Sequence, residues 1–259
     1  MSRILAVFAA LATTLATPAL VGAQHAHGGA DTTGMAGMEM GSGNGDWKMA
    51  AMAKHMAYSS SRPLTPADSV RAMRIVTELR QAIARYQDVS VAEADGYKMF
   101  APEIKNQPQY HFTRTWNALR NQVGFDPARP TSLLYKKDAA GRFRLIGAMY
   151  TASRRTSEDE LNDRVPLSVA RWHRHVNWCL PPRGKKELWS QTGNGRPVFG
   201  PLGVATEEEC KAAGGRFVPQ VFGWMVHVNT FDGNDLKSIW RDDHMDHDHA
   251  MLGEVTRPD

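Results

Sequence analysis

The chain predicts an α+β fold: an N-terminal amphipathic helix packed on a small, mainly antiparallel sheet, with one loop closed by a disulfide. Three observations carry the expectation. A capped apolar stripe begins at Thr65. Downstream, over 95–231, short runs alternate apolar and polar residues and end in turn chemistry. The only two cysteines, Cys179 and Cys210, belong to a chain that opens like an exported protein.

The helix is justified first. Thr65 can cap it, Pro66 suits its first position, and Asp68 completes a Thr-x-x-Asp capping box. Val70, Met73, Val76, Leu79, Ile83 and Tyr86 then recur at three and four residues, one buried stripe reaching Gln87, with Met73 as core. A short second helix follows from Ser90 and ends at Asp95-Gly96. "QYHFTRTW" alternates around His111, and "TSLLYKKDAAGRFRLIGAMYT" reads as two strands joined through Asp-Ala-Ala-Gly. "SEDEL" starts a helix at Ser157 that Pro166 stops. The region 180–220 reads as mostly loop, with a brief helix near "TEEECKAAGG".

Four zones result. Residues 1–23 read as a signal peptide: Arg3 supplies positive charge, an apolar run follows, and Val21 and Ala23 mark the cleavage site. Cleavage there leaves Gln24 first, which excludes a copper site built on an N-terminal histidine. Residues 24–62 form a Met/His/Gly-rich flexible segment, 63–240 the globular domain, and 241–259 a His/Asp-rich tail. The expected location is periplasmic or secreted, with no membrane anchor after cleavage. In that oxidising setting Cys179 and Cys210 pair, closing a loop of about 30 residues. The formal net charge of +4 is scattered along the chain, which argues against a nucleic-acid partner.

The chemistry concentrates in two stretches. "RWHRHVNWC" (171–179) and "GWMVHVNTF" (223–231) share Trp-x-x-His-Val-Asn. On a strand, His173, His175 and Asn177 would point one way, and Trp172, Arg174, Val176 and Trp178 the other. In the second stretch Met225, His227 and Asn229 oppose Phe222, Trp224, Val226 and Val228. Histidines two apart on a strand stand about 7 Å apart at the backbone. Imidazoles can converge from there on one ion at about 2.0–2.1 Å. His173 and His175 thus make a half-site, His227 a third ligand and His111 a fourth, with Asn177 and Asn229 orienting the rings. Read without a metal, the same residues are packed histidines, and the repeat marks equivalent sheet contacts.

Both tails could collect metal. Met35, Met38 and Met40 lead a run that continues through Met49, Met52 and Met56 among His25, His27 and His55. Thioethers suit Cu(I), and imidazole suits copper or zinc. "DDHMDHDH" adds His244, His247 and His249 among aspartates. A plain linker and a solvated acidic end are the blander readings.

Several enzyme classes are disfavoured. A cupin would follow His-x-His with a nearby Glu, and Val176 to Leu180 contain none. A carbonic-anhydrase-like set of three histidines fits the ligands but is not distinguished by spacing. The chain has no Gly-x-Ser-x-Gly, Walker loop, Cys-x-x-Cys-His or His-Glu-x-x-His. Glu158, Asp159 and Glu160 are accounted for as a helix start.

"DGYKMF", "YHF", "SLLYKK", "RLIGAMYT", "WHRHVNWC" and "GWMVHVN" together resemble a group of exported bacterial proteins without an established activity. The resemblance implies kinship and export. By composition alone, the tails are similar to periplasmic copper-handling proteins.

The expected function is an exported transition-metal-binding protein. Copper is the first choice, with zinc or iron as alternatives, and neither nucleotide nor haem is expected. An exported metalloenzyme, oxidoreductase or hydrolase, and a structural or interaction module without metal stay open.

Overall fold

The computed structural model describes residues 46–102 and 107–241. The signal-peptide reading, Met35, Met38, Met40, and His244, His247 and His249 fall outside the described residues.

The helix that opens the predicted domain is α2 (Pro66–Ile83), and its start follows from the sequence. Thr65 Oγ1 accepts the Asp68 N–H while the Asp68 carboxylate accepts the Thr65 N–H. Its buried face differs from the expected stripe. Ala72, Ile75, Val76, Leu79 and Ile83 are buried, whereas Val70 and Met73 are 72% and 40% exposed. One residue turns a helix by about 100°, which carries Met73 off the face set by Ala72 and Val76. A 3-10 turn (Ala84–Gln87) leads to α3 (Val89–Ala94), capped by the Asp88 carboxylate and ended by Gly96 at φ +88°.

The sheet has eight strands, its pairs antiparallel. They are β1 (Met56–Tyr58), β2 (Lys98–Met99), β3 (Tyr110–Thr113), β4 (Ser132–Lys137), β5 (Phe143–Ala152), β6 (His173–Leu180), β9 (Arg216–Gln220) and β10 (Trp224–Val228). Their order is β1-β6-β10-β5-β4-β3-β2, with β9 also on β6. The β4/β5 hairpin turns as the sequence indicates: the Asp138 carboxylate accepts the N–H groups of Ala140 and Arg142, and Gly141 takes φ +78°. The register shifts from Leu134↔Gly147 to Tyr135↔Leu145, leaving Ile146 as a bulge.

Order begins earlier than the expected boundary at 63. α1 (Asp46–Lys54) and β1 belong to the fold, and β1 pairs with the histidine strand, Met56 opposite His175 and Tyr58 opposite His173. The stretch is tied down further along. Ser59 N donates to Trp172 O (2.8 Å), Ser60 N and Oγ donate to Glu158 Oε1 (2.8 and 3.2 Å), and Arg62 pairs with Asp159. His55 is buried with its two ring nitrogens against Val176 O and Gly203 O. A three-residue edge strand has too little periodicity to be seen in a Gly/Ala/Met-rich sequence.

Two more regions differ from expectation. α4 (Thr115–Asn121) hides behind polar residues: Asn117 and Asn121 are its buried side chains, and Trp116 and Leu119 are exposed. Asn117 Nδ2 donates to Pro130 O and Tyr97 Oη, so amides do the work that an apolar stripe would announce. Within 180–220, β9 pairs with β6, and β7 (Thr192–Gly193) and β8 (Arg196–Pro197) form a small hairpin about Asn194-Gly195, both at positive φ. α5 (Glu158–Arg164) and α6 (Glu207–Ala212) lie where their caps place them. α7 (Leu236–Ile239) closes the domain with Ile239 and Trp240 in the core.

Cys179 on β6 is joined to Cys210 on α6, and the bond packs with Val198 and Phe199. Among the described residues, no helix is long and apolar enough to cross a membrane.

Candidate functional site

The sheet has two unlike faces. One packs on α2 through Phe112, Leu133, Tyr135, Ala148, Tyr150, Trp172, Trp224, Val226 and Val228. Alternation then sends the intervening residues the other way. There Leu134, Ile146, Met149 and Met225 form a separate buried cluster, and the four histidines share their side of the sheet.

Those histidines are brought together in one chain of ring contacts. His111 and His227 have ring centres 5.5 Å apart, His227 and His173 5.1 Å, and His173 and His175 5.8 Å. His173 and His227 are 1% and 4% exposed, while His111 and His175 are half-buried. The first contact needs a curled sheet. β3 and β10 are three strand spacings apart, about 14 Å if flat. The bulge at Ile146 supplies bend and twist between them. Gly147 allows the close approach that follows: a Cβ there would stand 1.9 Å from Val228 O.

The repeated hexapeptide acquires a geometric meaning. Met225 pairs with His173, and these are equivalent positions of the two copies. In an antiparallel pair this places a local two-fold axis between them, with His175 and His227 displaced to opposite sides along the strands. The residue outside the shared pattern, His173, touches both and is the hub of the cluster.

Two side chains depart from simple alternation. Asn177 adopts φ +58°, so Trp178 turns to the histidine side, with its ring centre 5.3 Å from that of His175. Phe222, expected on the core face with Trp224, instead contacts His175, Trp178 and Phe100. Gly223 intervenes, and a Cβ there would stand 2.0 Å from Ala152 O, so the chain presses against β5 before β10 begins. The expected ring-orienting asparagines serve the backbone: Asn177 Nδ2 donates to Lys54 O and Asn229 Nδ2 to Arg241 O.

Cations border the strands on both sides: Arg174 from the core face, and Arg171 from the histidine face, where Tyr58 stands opposite His173. The Arg174 guanidinium lies 4.5 Å over the Trp224 ring, linking the two copies through their core faces, and Arg171 lies 4.8 Å over Tyr58. Among the described residues, no three or more His, Cys, Asp or Glu side chains form a group that could hold an ion as they stand. What the structure shows is the gathering of the rings. Sequence alternation located Met225 on the histidine side, but Tyr58, Met56 and Met149 needed the strand register, which the sequence does not display.

No protein-family model, curated protein or solved structure matches the chain.

Proposed function

We propose that the protein binds a transition-metal ion, copper in the first instance, among His111, His173, His175 and His227. The observation that carries this reading is the contact chain of four imidazoles on one sheet face. With bonds of about 2.0–2.1 Å and about 1.1 Å more to the ring centre, two imidazoles on one ion have centres about 4.5–5.7 Å apart at ordinary coordination angles. The three separations fall in or beside that interval. Imidazole orientation about χ2 is soft, so aiming the nitrogens requires ring rotation rather than backbone movement. The proposal extends to an exported protein: the Cys179–Cys210 bond supports an oxidising compartment. The tails, with His244, His247, His249, Met35, Met38 and Met40, would collect the same ions.

The test is metal content of the full chain, exported to an oxidising compartment and dialysed against a weak chelator. His173→Ala/His227→Ala is compared with His244→Ala/His247→Ala/His249→Ala, and folding is followed by circular dichroism. Loss of one tightly held equivalent in the first variant only is the expected result. Equal retention in both folded variants would remove the site from the sheet. Azide added to the copper-loaded protein separates carrier from enzyme: a spectral change would reveal an exchangeable position on the ion, the requirement for catalysis.

A further inference from the structure

Each of the three histidines on β6 and β10 has a methionine directly opposite it on a neighbouring strand. Met56 on β1 pairs with His175, Met225 on β10 pairs with His173, and Met149 on β5 pairs with His227. Directly opposed residues point to the same face, with Cβ atoms about 4.5–5.5 Å apart. The chain has 13 methionines in 259 residues, so a methionine opposite all three is not what composition alone provides. Met149 and Met225 are buried and Met56 half-buried, all beside imidazoles and none on the main core face. His111 is the exception, with Leu134 opposite.

An apolar role is available for two of them, since Met149 and Met225 pack with Leu134 and Ile146. That role would be filled as well by leucine or isoleucine. Only methionine offers a soft, polarisable sulfur next to a ring nitrogen. Thioether with imidazole is a donor set for Cu(I), and it discriminates against Zn(II), which prefers thiolate, imidazole or carboxylate. We infer that Met56, Met149 and Met225 supply thioether donors beside the histidines, and that the site holds copper as Cu(I). This rests on the metal-binding reading above and gives it an oxidation state.

The inference makes the N-terminal segment part of the site. Met56 is the last methionine of the Met/His-rich run and the one that β1 carries to His175.

The experiment is anaerobic competition for Cu(I) between the full chain and a chromophoric Cu(I) chelator, with Zn(II) measured in parallel. The variants are Met56→Leu, Met149→Leu/Met225→Leu, and His173→Ala/His227→Ala. Leucine conserves volume, so the methionine variants fold, which thermal unfolding would verify. Cu(I) affinity falling at least about tenfold in the methionine variants, with Zn(II) unchanged, is expected, since even groups one step removed from a metal are worth 10- to 100-fold. Unchanged Cu(I) affinity in the methionine variants, with loss in the histidine variant, would overturn the thioether assignment and leave the metal site standing. Unchanged affinity in all three would overturn both.

Discussion

His175 and Trp178 stand on the same side of their strand, ring centres 5.3 Å apart, because Asn177 between them takes a left-handed backbone. Asparagine tolerates that conformation and a β-branched residue does not. Asn177→Gly keeps that backbone and gives up only the hydrogen bond to Lys54 O, an expected loss of about 1 kcal/mol, whereas Asn177→Val adds about 1–3 kcal/mol of backbone strain and shifts the environment of Trp178. Urea unfolding monitored by tryptophan fluorescence reads both effects.

The close approach of the Val228 backbone to β5 depends on Gly147. Its Cβ would meet Val228 O at 1.9 Å, a backbone atom that cannot swing aside. Gly147→Ala is expected to lose about 3 kcal/mol or more and to part His111 from His227. The same variant should lose bound metal even under conditions where it stays folded. Normal metal retention would show that the His111 contact is not needed.

The disulfide gives a third expectation. Cys179 and Cys210 are 31 apart in sequence, and cross-links of that span stabilise by about 3–4 kcal/mol in the chain-entropy model. Cys179→Ala/Cys210→Ala should shift the urea midpoint down by a corresponding amount, and added reductant should then have no further effect. Because Cys179 lies on the histidine strand, metal affinity should fall as well.

Acid sensitivity follows from the docking of the N-terminal segment. The Ser60 backbone N–H, and then its hydroxyl, hold the Glu158 carboxyl below its ordinary pKa. A depressed carboxylate pKa contributes stability that is complete above the unfolded value, 4.5, and lost as pH falls through the lower folded value. Docking of 56–60 should thus hold at neutral pH and weaken below about pH 4.5. Glu158→Gln should flatten that dependence. Limited proteolysis near residue 60 as a function of pH is the direct assay.

What the sequence displayed was whatever depends on near neighbours. The Thr65/Asp68 and Ser157/Glu160 boxes, the Asp138–Gly141 turn and the Cys179–Cys210 pair each rest on local chemistry or on there being two cysteines. Alternation likewise put His173, His175 and His227 on one side of their strands. It could not foresee Trp178, because a single left-handed residue resets the count, or α4, whose buried side is made of Asn117 and Asn121. Strand order and register were equally hidden. Without them nothing tells that His111 bends round to His227, or that Met56 comes to lie opposite His175.

The three residues of β1 give the cluster a second owner. Met56 and Tyr58 face His175 and His173 from this edge strand, so docking of the strand and occupancy of the cluster share one free-energy cycle. Reciprocity then applies: whatever binds among the histidines would tighten the hold on 56–58, and anything that peeled this strand away would weaken that binding by the same factor. If the proposed ion is held there, capture of the N-terminal segment would release it without opening the core.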